Sequence, residues 1–126
     1  MSKPLEEYRS YKEILDMDPM SLAATLEQMK IQVEMDIQTP DQASAAGELL
    51  QRIANNFSYV SSLLSFAKIM KRKLDREGKK QEYEDMIDKE AVVENTLKAI
   101  DVQYRSLSKC ITLHMENSRD LRIMGG

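Results

Sequence analysis

The stretch TPDQASAAGELLQRIANNFSYVSSLLSFAKIMKRKLDREG, residues 39–78, decides the fold. It opens on Thr39-Pro40-Asp41-Gln42, where Thr39 can cap, Pro40 fits a first helical turn, and Gln42 stands three residues on to close a capping box. Apolar residues then recur at Ala46, Leu50, Ile53, Phe57, Val60, Leu64, Ala67 and Leu74. Steps of four and three hold one stripe of a helix toward a neighbour, which is the heptad seam of packed helices. A second stripe, Leu49, Leu63, Phe66 and Met70, widens the apolar face beyond a two-helix contact. Lys71, Arg72, Lys73 and Arg76 gather where a helix carboxyl end favours cations, and Gly78 supplies a left-handed stop.

Beyond Gly78 the acids Glu82, Glu84, Asp85, Asp88, Glu90 and Glu94 mark a new helix amino end, which prefers negative charge. The seam resumes at Val93, Leu97, Ile100, Tyr104, Leu107, Ile111 and His114 and runs on toward Leu121. Two helices follow, over 40–77 and 81–117, each roughly 38 residues and about 55 Å long. A link of a few residues between them dictates an antiparallel hairpin.

Upstream, Pro4 to Met17 reads as a short helix with Leu5, Tyr8, Tyr11 and Leu15 on one side. Asp18-Pro19 starts another, along which Leu22, Leu26, Met29, Val33 and Ile37 keep helical spacing. Residues 29–37 also alternate apolar and polar like a strand, but a lone strand would leave its edges unpaired, so helix is expected there.

The 126 residues amount to one domain: flanking helices over 1–38, the hairpin over 39–122, and a frayed tail over 123–126. Charged residues make up 31% and aromatics 6%, with four Gly and three Pro, a balance that suits an all-α chain and not a sandwich or barrel. A net charge of -3 argues against a generic nucleic-acid coat, which needs summed positive charge. The single cysteine, Cys110, implies no disulfide framework. With an acidic amino end and no long apolar run, a soluble cytoplasmic protein is expected, with no membrane contact.

Few residue patterns carry chemistry. Cys110 and His114 share a helix face without an orienting group or an oxyanion site, so a packed face is the simpler reading. The acidic run from Glu82 to Asp88 has the residues for magnesium, but lacks a second acidic motif on another helix. No cofactor and no catalysis are expected; a magnesium-dependent nucleotide hydrolase is the residual alternative. Residues 68–80 hold seven cations against two acids, and 82–94 hold six acids against one lysine. These two stretches can face each other as a charge ladder, each exposed pair contributing about 0–1 kcal/mol. Alternatively Lys68, Lys71, Arg72, Lys73, Lys79 and Lys80 form an anion-binding patch, with Tyr104 and Arg105 able to stack on and clamp a nucleotide.

The later half, from Tyr83-Glu84-Asp85-Met86 through Tyr104-Arg105-Ser106-Leu107-Ser108 to Arg119-Asp120-Leu121-Arg122, resembles small helical proteins of bacteriophage and prophage early regions. The layout of Asp36-Ile37-Gln38-Thr39 leading into a long helix with Asn55-Asn56 and Tyr59 is also similar to the recombination mediators of T-even phages. The first likeness implies a phage protein in the host cytoplasm; neither assigns a role to any residue.

The over-wide stripe implies completion by self-association, with Phe57, Leu63, Phe66 and Met70 at the contact. The expected function is that of an oligomeric, non-enzymatic helical protein that binds another protein stoichiometrically. It would block or adapt host or phage nucleic-acid or defence machinery. Sequestration of a small signalling nucleotide between subunits is one alternative. Mediation of recombination or replication on single-stranded DNA is another.

Overall fold

The computed structural model describes residues 11–30 and 37–125. Four helices follow in order: α1 (Tyr11–Leu15), α2 (Pro19–Glu27), α3 (Pro40–Arg76) and α4 (Lys80–Gly125), with no strand among the described residues. α3 and α4 pack along each other as a hairpin, α2 lies against α4, and α1 lies against α3.

Local chemistry sets the helix ends. Thr39 Oγ1 accepts from Gln42 N at 3.2 Å, and Gln42 Oε1 accepts from Thr39 N at 3.1 Å, which completes the capping box. Asp18 caps α2 by accepting from Ser21 N at 3.2 Å. At the turn Gly78 takes φ 71. Its N–H donates to Asp75 O, and Lys79 N–H donates to Leu74 O, both at 3.1 Å. That double bond pattern closes a helix carboxyl end and needs a left-handed residue between its donors.

The hairpin core has a seven-residue beat. Ala46, Ile53, Val60, Ala67 and Leu74 are buried on α3; Met86, Val93, Ile100 and Leu107 are buried on α4. With the chain reversing near Gly78, Leu74 lies level with Met86, Ala67 with Val93, Val60 with Ile100, and Ile53 with Leu107. The pair Lys71 Nζ to Glu90 Oε2, 2.6 Å apart, agrees with that register. Each large aliphatic side chain buried here contributes about 1.5–3 kcal/mol relative to exposure.

α1 and α2 cover one side of the hairpin. The Tyr11 ring sits 5.5 Å from Tyr59 and 5.8 Å from Phe66, tilted against both. Ile14, Leu15, Leu22, Leu26 and Met29 join the buried core, as does Leu63 from α3. The wide stripe is thereby covered in part by the chain's own amino-terminal helices.

Two expectations need correction. α2 stops at Glu27, short of Ile37, because Gln28, Met29 and Lys30 donate to carbonyls only three residues back. The Met29 carbonyl is taken instead by Asn56 Nδ2 of α3 at 3.1 Å. Ile37 stands outside any helix, so helix does not span the whole of 29–37; residues 31–36, like the expected start of the first helix at Pro4, lie outside the described residues. At the other end α4 stays helical to Gly125, through most of the expected frayed tail. No helix among the described residues is long and apolar enough to cross a membrane.

Candidate functional site

The cation-rich end of α3 is divided by the hairpin register into two sets. Lys71 turns toward α4 and meets Glu90. That carboxylate, hydrogen-bonded to it, holds the Lys71 ammonium above its usual range. Lys73 and Lys79 both reach Glu77, at 3.9 Å and 3.2 Å, and Glu77 likewise raises Lys79. Lys71 thus has a carboxylate of its own, while Lys73 and Lys79 share one.

The other set is free of such partners. Lys68, Arg72, Arg76 and Lys80 are exposed and make no ion pair among the described residues. Lys68, Arg72 and Arg76 are four residues apart, so they form a row about 12 Å long on the outer side of α3. Ile69 lies within that row with 58% of its surface exposed. Ile69, Arg72, Asp75 and Arg76 line a shallow depression. An apolar contact flanked by two unpaired arginines, with Asp75 beside them, is an arrangement that can recognise an acidic surface bearing an apolar group.

Tyr104 and Arg105 are not brought to this cluster. They sit 24 residues beyond Lys80 on the same straight helix, roughly 35 Å from the tip. Arg105 pairs with Asp101 at 3.0 Å in its own helix. Within one chain Tyr104 and Arg105 are thus not brought together with the basic cluster. The charge ladder also shrinks: among the described residues Lys71–Glu90 is its only rung between α3 and α4.

The residues expected at a subunit contact fall in different places. Leu63 is fully buried within the chain, and Phe66 packs on Tyr11. Met70 is half-buried beside α1, lining a charged recess with Lys12, Leu15 and Asp16. Phe57 lies on another stripe. Leu50, Phe57, Leu64 and Lys71 repeat every seven residues on α3, as Glu90, Leu97, Tyr104 and Ile111 do on α4. The Lys71–Glu90 pair shows that these stripes adjoin across the hairpin, away from α1 and α2. This side has half-buried side chains and no helix over it among the described residues.

Lys89 was not foreseen as an organising residue. Its side chain is 8% exposed and its ammonium donates to the Leu15 carbonyl and pairs with Asp85 at 2.9 Å. A visible signal existed: Met86, Lys89, Val93, Thr96 and Ile100 also step by three and four, so Lys89 occupies an inward position. Asp85 is thereby committed to Lys89, and no group of three His, Cys, Asp or Glu among the described residues is placed to hold a metal. Cys110 and His114 are half-buried on successive turns of α4. Comparison with protein-family models, curated proteins and solved structures gave no match.

Proposed function

We propose that the protein is a non-catalytic binding module that occupies an acidic surface of another protein with the outer edge of α3. The row of Lys68, Arg72 and Arg76 beside exposed Ile69 carries this reading, because neighbouring lysines stand against internal carboxylates and these make no ion pair among the described residues. The row is short and one-sided. Ile69 favours a protein surface over single-stranded DNA, whose bases would call for stacking aromatics beside the cations. Occupancy is the mechanism: a rigid helix edge covers a working surface of its partner, and the role we assign is to block or adapt nucleic-acid or defence machinery.

The test is comparative capture from lysate with wild type and with an Arg72→Glu, Arg76→Glu chain, read by mass spectrometry. Proteins held by wild type and lost by the variant are the expected partners, and their retention should weaken as salt rises. Identical capture by the two chains would refute this reading. Salt-sensitive binding of an oligonucleotide, lost in the variant, would favour the single-stranded DNA alternative instead.

A further inference from the structure

We infer that the side of the hairpin away from α1 and α2 is covered by the same side of a second copy, giving a two-fold dimer with both tips at one end. This goes beyond the proposed binding edge and uses a different side of the hairpin, the two meeting only at Lys68. The two inner stripes are uncharged over their middle: Leu50, Phe57 and Leu64 on α3, with Leu97, Tyr104 and Ile111 on α4. That uncharged middle is about 21 Å long; only with the flanking stripes, Gly47 to Lys68 and Glu94 to Met115, does the face reach about 30 Å along two helices, or roughly 600 Å² per partner, near the lower range of stable interfaces.

The flanks select the second copy and its orientation. Along α3 the next stripe outward is Gly47, Ala54, Ser61 and Lys68; along α4 it is Ile87, Glu94, Asp101, Ser108 and Met115. A dyad parallel to the helices lays α3 on the partner's α4. Small residues then meet larger ones: Gly47 comes level with Met115, which is 64% exposed, and Ala54 with Ser108. Lys68 comes within one turn of Glu94. A dyad across the helices would lay α4 on its own copy and set one Asp101–Arg105 pair against the other, where the parallel dyad sets Asp101 level with Ser61. Size and charge therefore agree on the parallel dyad, an isologous four-helix packing.

The test uses the full chain. Sedimentation equilibrium should give twice 14.5 kDa. Phe57→Glu, and the gentler Tyr104→Lys, should each raise the dissociation constant at least tenfold while helical circular dichroism is retained. In a Cys110→Ser background, thiols at Ala54→Cys and Ser108→Cys should be joined between copies by a short bifunctional maleimide, and thiols at Asp101→Cys should not. A mass of one chain at all concentrations overturns the dimer, as does a dimer indifferent to both substitutions. Joining through position 101 in place of 54 and 108 overturns the orientation. A monomeric Tyr104→Lys chain that still captures partners through Arg72 and Arg76 separates this inference from the proposed function.

Discussion

Lys89→Met isolates what holds the amino-terminal helices on the hairpin. Methionine keeps a long apolar stem and removes only the ammonium, which donates to the Leu15 carbonyl and pairs with Asp85. The carbonyl ends α1 at a packed junction and would lose its donor, a cost of about 1–3 kcal/mol for an orphaned buried acceptor. Asp85 is 41% exposed, so water re-solvates it and its loss adds little. Sparing the desolvation of an ammonium works the other way. A net loss of about 1–2 kcal/mol is expected, because one partner is removed and the other stays behind. Urea unfolding followed by circular dichroism measures it, with an unchanged slope. Hydrogen exchange should accelerate across 11–30 more than at the centre of the α3–α4 seam. A change below about 0.5 kcal/mol, the range of an indifferent surface substitution, would refute the reasoning. So would exchange that accelerates equally throughout.

Thr39→Ala removes the capping box and should lower stability by about 1 kcal/mol, read by thermal melting. Gly78→Ala meets open space but keeps a left-handed φ, so it should cost about 1–2 kcal/mol through backbone strain alone, by urea unfolding. The Tyr59 hydroxyl is buried without a partner among the described residues, and burial, reinforced by Tyr11, pushes its pKa up to about 12. An unfolded tyrosine ionises near pH 10, so stability is whole below about pH 10 and declines from there toward 12. Tyr59→Phe should flatten that alkaline decline in a pH series of melting temperatures. Asp18 is held below its usual range, chiefly by its bond to Ser21. Its contribution is present above about pH 4 and fades as pH falls through the lowered value, so Asp18→Asn should make the acid limb shallower in the same series.

The hairpin was legible because its signals are local or strictly periodic. Thr39 to Gln42 forms the box that the spacing announced, Gly78 is the left-handed stop, and the seam residues of α3 and α4 face each other. The tip was legible only as composition. Which lysines are free depends on how α3 registers against α4, and a row of one-letter codes does not state that register. Lys71 was consumed by Glu90 across the hairpin, while Lys68, the preceding lysine, was not. Tyr104 and Arg105 looked eligible because their types suit a nucleotide; the rise of a straight helix removes them from the tip. Lys89 was missed for a different reason: a charged residue in an acidic run looks solvated unless its heptad position is weighed above its type. The end of α2 was hidden because the competing interaction, Asn56 on the Met29 carbonyl, comes from a residue 27 positions away.

On the function proposed above, position and not net charge makes part of the tip a binding edge. Two variants with the same change in net charge test it: Arg72→Ala with Arg76→Ala, and Lys73→Ala with Lys79→Ala. Titration calorimetry of each against the partner captured by wild type should show the first pair weakening binding at least tenfold. The second should stay within about twofold, since its lysines stand beside Glu77 in the recess with Lys12 and Asp16, away from Ile69. Equal losses from the two pairs would contradict the account.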